Sequence, residues 1–167
     1  FFQADAGIRD SVASRGLGDV YKRQVSDCTR MFCAGSLDEE SIGRLDDMAE
    51  IRDAIVASLG SGDNCSEAWR IGNGMAGEMG YSEHLMGMSP EQAAFLGHSV
   101  GLELDETPVI AERFDRELPV GGTMAIEPKV IYDSGAIGTE DTFTRTADGM
   151  ECLTMGDSWG LLTEWDE

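Results

Sequence analysis

The sequence predicts an α+β domain in which a helical front half packs on a run of antiparallel strands. Three observations carry that prediction. Apolar residues recur at steps of three to five from Leu37 to Leu59, and again at helical spacing from Cys65 to Met79. Beyond Pro90 the period changes to two, in strand-length segments rich in β-branched residues. Helices come first and strands follow in succession, without the alternation that marks parallel βαβ units.

Taken in order, Val25–Phe32 is a short strand candidate with Asp27 in its first half. Ser36 followed by Glu39 has capping-box spacing, and Leu37, Ile42, Leu45, Met48, Ile51, Ile55 and Leu59 supply the apolar stripe of the helix, which Gly60-Ser-Gly ends. A second helix is predicted from Asp63, with Cys65, Ala68, Trp69, Met75, Ala76 and Met79 on its buried side. Gly72, Gly74 and Gly77 each weaken it by up to about 1 kcal/mol, which predicts an irregular middle. Val100, Leu102 and Leu104 alternate with Gly101, Glu103 and Asp105 as in a half-buried strand. Met124 and Ile126 open another strand that continues to Tyr132 across Pro128, which demands an edge or a bulge there. Ile137–Thr146 is β-branched, and Asp148-Gly149 turns it into Glu151–Thr154.

With 167 residues the chain is long enough for one domain with a sizeable core. Its formal charge of −20 argues against nucleic acid, which needs a basic surface. No apolar run approaches the roughly 18 residues of a membrane span. Cys28, Cys33, Cys65 and Cys152 show neither a Cys-x-x-Cys pair nor zinc-ribbon spacing, and read as free thiols of a reducing, cytoplasmic compartment. Residues 1–24 stand apart. They carry four basic residues against three acids and lack sustained periodicity, and Gln-Ala-Asp-Ala-Gly-Ile-Arg-Asp together with the run from Ser11 to Gln24 resembles translated adapter read-through. That segment is expected to be foreign to the native protein.

Two motifs suggest chemistry that their context denies. Gly72-Asn-Gly-Met-Ala-Gly77 matches a dinucleotide fingerprint, but helix-forming residues precede it where a strand is required. Gly97-His-Ser-Val-Gly101 matches a nucleophile elbow at Ser99, yet strand-like sequence follows and both histidines, His84 and His98, precede the serine.

A different constellation runs through the chain: Asp27, His98, Glu127 in Ile-Glu-Pro, and Glu140 in Thr-Glu-Asp. One imidazole and three carboxylates are a ligand set for manganese, zinc, cobalt or iron. Ser26-Asp27-Cys-Thr-Arg-Met-Phe32, Gly97-His98-Ser-Val-Gly-Leu102, Ala125-Ile-Glu127-Pro128 and Gly138-Thr-Glu140-Asp141-Thr142 resemble, in order, four motifs of the pita-bread metallopeptidases. The tail pattern, Glu-Asp-Thr followed by Asp-Gly and Leu-Thr, is similar to that of the Xaa-Pro aminopeptidase and prolidase branch.

The resemblance implies a pita-bread fold, with helices packed on a curved, mainly antiparallel sheet. It implies that 25–167 is the C-terminal part of a catalytic domain whose N-terminal side is missing. Asp27, His98, Glu127 and Glu140 would be metal ligands, with Glu127 and His98 the catalytic groups and Glu127 also shuttling the proton. Two divalent ions in the intact parent would activate a water to attack a peptide bond next to proline. A homodimer is compatible with the resemblance. There are departures too. The first aspartate ligand of the family falls on Gly16, two accessory histidines fall on Ala94 and Asp105, and an arginine falls on Gly138. Asp105 thereby becomes a candidate substrate residue. A same-fold enzyme acting on a non-peptide small substrate, creatinase-like or lyase-like, and a non-catalytic binding module of this fold are the alternatives.

Overall fold

The computed structural model describes residues 25–31 and 38–154. The expectations placed on residues 1–24, Phe32, Cys33, Ser36 and Leu37 fall outside them. Two helices, α1 (Glu39–Ser61) and α2 (Cys65–Glu78), precede seven strands. These are β1 (Phe95–Ser99), β2 (Glu106–Ala111), β3 (Thr123–Ile126), β4 (Lys129–Tyr132), β5 (Gly135–Gly138), β6 (Asp141–Thr146) and β7 (Gly149–Cys152). Every ladder is antiparallel: five strands in the order β2-β1-β3-β6-β7, and a second sheet of β4 and β5. The α+β architecture with helices first is therefore as expected.

Helix α1 is capped by Asp38, whose carboxylate accepts from the Ser41 N–H at 2.7 Å. Glu39 and Glu40 in its first turn complement the helix dipole. Its far end stops at Gly62, which takes φ +102°, a left-handed cap that favours glycine. Met48, Ile51, Ile55 and Leu59 form the buried stripe, whereas Ile42 is 41% exposed. Helix α2 opens with a capping box between Asn64 and Glu67. The three glycines do not break it. Gly72 is buried where a Cβ would lie 2.7 Å from Ile55 Cδ1 and 2.8 Å from Leu96 Cδ1, so its missing side chain lets α2 settle onto α1 and β1.

Three strand boundaries differ from the sequence reading, each for a physical reason. Val100–Leu104 is not a strand: Leu102 is 81% exposed, and the Glu106 carboxylate folds back to accept from the Glu103 N–H at 2.9 Å. The strand lies just before it, at Phe95–Ser99. The strand expected across Pro128 is two strands in different sheets, because proline offers no N–H to continue the β3 ladder. Ile137–Thr146 likewise divides at Thr139-Glu140 into β5 and β6, one in each sheet. Around Asp27 the described backbone forms an isolated bridge between Thr29 and Glu140 in place of a strand, and the Val25 N–H bonds the Gly101 carbonyl at 3.4 Å. The β6–β7 hairpin is as expected, with Gly149 at φ +140°.

Gly97 marks the tightest approach in the large sheet. A Cβ there would stand 2.3 Å from the Ala125 carbonyl oxygen and 3.2 Å from Ile126 Cα, both backbone atoms of β3. Gly97→Ala is expected to force β1 and β3 apart and to cost about 1–3 kcal/mol. Gly74→Ala, on an exposed helical position with open space around it, is expected to gain up to about 1 kcal/mol. Thermal unfolding of the two variants checks the contrast.

Candidate metal centre

The two places where the chain passes between sheets lie side by side, joined by the Thr139 N–H bonding the Pro128 carbonyl at 3.3 Å. Each carries a glutamate: Glu127 between β3 and β4, Glu140 between β5 and β6. The Glu127 N–H reaches the Leu96 carbonyl at 3.0 Å, which ties it to β1 one strand away. His98 sits on β1, 5% exposed. Asp27 is held by Thr142, whose hydroxyl accepts from the Asp27 N–H at 2.9 Å and donates to the Asp27 carbonyl at 2.7 Å. The Thr29 N–H bonds the Glu140 carbonyl at 3.1 Å, and the Thr29 hydroxyl donates to the Glu140 carboxylate.

These elements bring the sequence-chosen side chains together. His98 Nδ1 lies 3.2 Å from the Ser99 carbonyl oxygen, which can only accept, so Nδ1 carries the proton and the Nε2 lone pair faces the carboxylates. Around Nε2 stand Asp105 Oδ1 at 3.4 Å, Asp27 Oδ2 at 3.8 Å and Glu127 Oε1 at 3.8 Å. Asp27, His98 and Glu140 each offer a donor atom within 4.8 Å of the others. Donors bound at about 2.0–2.2 Å to a single ion stand at most roughly 4.4 Å apart, so a slight contraction suffices to close this set on a cation. Asp105 lies at the mouth, its side chain 74% exposed. Ser99 takes no part in a nucleophile pair: the imidazole faces its carbonyl, and its buried hydroxyl has no hydrogen-bond partner among the described residues. The glycine fingerprint at 72–77 lies within α2.

The electrostatics fit the same reading. Burial, then the neighbouring charge of Asp27, pushes Glu140 up to about 7. Burial also raises Asp27, with His98 acting against it and Glu127 and Asp105 adding to it. Carboxylates crowded beyond what the local cations neutralise are what a divalent ion relieves. In the metal-free chain Glu140 retains its proton up to about pH 7, so an ion binding below that must displace it. Proton release on Zn²⁺ binding is therefore expected to be larger near pH 6 than near pH 8.5, with apparent affinity rising between them. Calorimetry in buffers of different ionisation enthalpy checks this; equal proton counts at both would contradict it.

Three contributors were not legible beforehand. Thr29 orients Glu140. Arg30 bonds the Glu140 carbonyl at 2.9 Å and Asp141 at 2.6 Å. Lys129 places its ammonium 2.5 Å from Glu127 Oε2. The first two sit beside Asp27 in sequence, but their partners lie 110 or 111 residues away. The cleft lined by Thr29, Met31, Glu127, Lys129, Gly138 and Glu140 measures about 60 Å³. That is far below the roughly 300–1,000 Å³ of a pocket for a drug-sized ligand, so the described residues enclose an ion-and-water-sized recess.

A histidine and several carboxylates gathered where two antiparallel sheets meet match the arrangement expected of the pita-bread metallopeptidases, and the structural relatives share that fold. The chain belongs to metallopeptidase family M24, whose profile matches residues 5–147. The Xaa-Pro dipeptidase of Pyrococcus horikoshii is 31% identical over 139 residues, which make up 83% of this chain and 38% of that protein. The crystal structure of the prolidase from Pyrococcus horikoshii superposes with a TM-score of 0.72 at 29% identity, covering 84% of this chain and 39% of that one. The prolidase from Pyrococcus furiosus gives 0.73 at 28% identity, covering 83% and 39%. The chain thus spans about 38% of the length of the curated relatives it matches.

Proposed function

We propose that this chain is the metal-binding part of an Xaa-Pro peptidase that cleaves a peptide bond next to proline in small peptides. The observation that carries the proposal is the convergence of Asp27, Glu127 and Asp105 on His98 Nε2, with Glu140 beside Asp27. Asp27, His98, Glu127 and Glu140 would hold divalent metal, two ions in the intact enzyme. The hard oxygen donors with one imidazole suit manganese, zinc, cobalt or iron. Bound there, the metal supplies Lewis acidity and an acidified water. Glu127, 8% exposed and beside His98, is placed to take and return a proton at Oε1, and His98 anchors the set through Nε2. Thr29 and Arg30 hold Glu140 in place.

Residues 25–167 are proposed as the native part, with 1–24 foreign to it. The family profile begins matching at residue 5, so resequencing across Gln24/Val25 is decisive: a continuous native reading frame would retire that part of the proposal. A cytoplasmic setting is supported by the free thiols of Cys28 and Cys65. No helix among the described residues is long and apolar enough to cross a membrane.

One observation favours a second reading. Asp105 puts a carboxylate at the mouth, where it would attract a cationic group, as suits a same-fold enzyme acting on a charged, non-peptide small substrate. A single panel separates the two. The parent gene with its native front restored is assayed with Mn²⁺, Zn²⁺ and Co²⁺ against Xaa-Pro dipeptides and tripeptides and against guanidino and sulfonium compounds. Turnover of the prolyl peptides is expected; metal loading with no prolyl turnover would contradict the peptidase proposal.

A further inference from the structure

The chain contains two lysines, Lys22 and Lys129, among 32 acidic residues, and one of them is set on a carboxylate of the candidate centre. Glu127 is shared between two neighbours. Its Oε1 faces His98 Nε2 at 3.8 Å, while its Oε2 lies 2.5 Å from Lys129 Nζ. Glu127 and Lys129 are two residues apart, the spacing that puts side chains on one face of an extended segment. The placement is built into the sheet. Lys129 pairs with Gly138 across the β4–β5 ladder, and a Cβ at position 138 would stand 2.4 Å from Lys129 Cβ and 2.7 Å from the Pro128 carbonyl oxygen. The absence of a side chain at Gly138 is what lets the stem of Lys129 lie where it does. The ammonium then looks into the recess that Glu127, Glu140 and Thr29 line.

We infer that Lys129 is a resident cation of the centre: it neutralises Glu127 in the metal-free chain and must give up that carboxylate when a divalent ion binds. This rests on the metal-binding reading above. Its physical basis is competition. An ion taken by Glu127 Oε1 would share one carboxylate with the ammonium on Oε2, and two cations that close repel. Lys129 thereby offsets part of the negative charge gathered there and lowers the affinity for metal. Gly138 acts through it, as the residue that makes room.

The test is Mn²⁺ calorimetry on the 167-residue chain and its Lys129→Met variant, with circular dichroism confirming that both are folded. The variant is expected to bind on the order of tenfold tighter, the scale on which partners of a ligand side chain shift metal affinity. Equal or weaker binding by a folded variant overturns the inference while leaving the metal centre intact. Absence of Mn²⁺ binding in both overturns the inference and the metal-binding reading together. Should Lys129→Met fail to fold, the unmodified chain answers instead. With ¹³C-labelled lysine it gives two side-chain signals, and Zn²⁺ titration is expected to shift that of Lys129 in step with ion uptake; a Lys129 signal unmoved at saturation overturns the inference.

Discussion

Replacing His98 with alanine is expected to lower Mn²⁺ affinity on the order of a hundredfold or more, beyond the roughly 10–100-fold that losing a partner outside the ligand set costs. The size follows from the position of Nε2. It is the one imidazole donor in the set, and Asp27, Asp105 and Glu127 are arranged around it at 3.4–3.8 Å. Removing it leaves carboxylates facing one another across a gap with no imidazole to share the cation. The effect on folding is expected to be small by comparison, because among the described residues His98 makes one side-chain hydrogen bond, to its neighbour's carbonyl. Calorimetry with a parallel thermal melt separates the two; unchanged affinity would remove His98 from the ligand set.

The second large effect is on stability. Arg52 and Asp141, 2% and 1% exposed, pair at 2.9 Å behind the centre. Asp141 also takes Arg30 at 2.6 Å and the Thr154 hydroxyl at 2.8 Å. Arg52→Met removes one partner of a buried pair and leaves the other charge in place, which typically costs about 3–5 kcal/mol. Because Arg30 still reaches Asp141, the low end applies, about 3 kcal/mol. For a chain of this size that is a Tm lower by roughly 6–12 °C. The double variant Arg52→Met/Asp141→Leu is expected to recover part of the loss, since a buried pair is often replaceable by apolar groups of similar volume. A single variant melting with the unmodified chain would show that the pair contributes nothing. The pair also touches function, because Asp141 follows Glu140 and its anchoring fixes where β6 begins.

How far the sequence was legible depended on the range of the interaction. The stripe Met48, Ile51, Ile55, Leu59 and the end of α1 at the Gly60-Ser-Gly run are local patterns, and both stand in the fold. Each of the four proposed ligands sits in a short motif that can be read locally, and the fold brings those motifs together. Alternation at Val100–Leu104 misled because period two describes a strand only where a partner ladder exists, and Leu102 meets solvent instead. Pro128 signalled a break but not that the break is a change of sheet. Gly138 read as the loss of a cation. Its meaning changed once Lys129 was found across the ladder, a pairing set by β-register rather than by neighbouring sequence. The roles of Thr29 and Arg30 depend on contacts 110 or 111 residues away, which no local pattern encodes.

The central claim is that Asp27, His98, Glu127 and Glu140 form one metal centre at the junction of the two sheets. Crystals grown with Mn²⁺ and measured for anomalous scattering test it most directly. The expected result is an anomalous peak about 2.0–2.3 Å from His98 Nε2 and from carboxylate oxygens of Asp27 and Glu140, with Glu127 turned from Lys129 toward it. A map with no peak at His98, or with manganese bound only at surface carboxylates elsewhere, would contradict it.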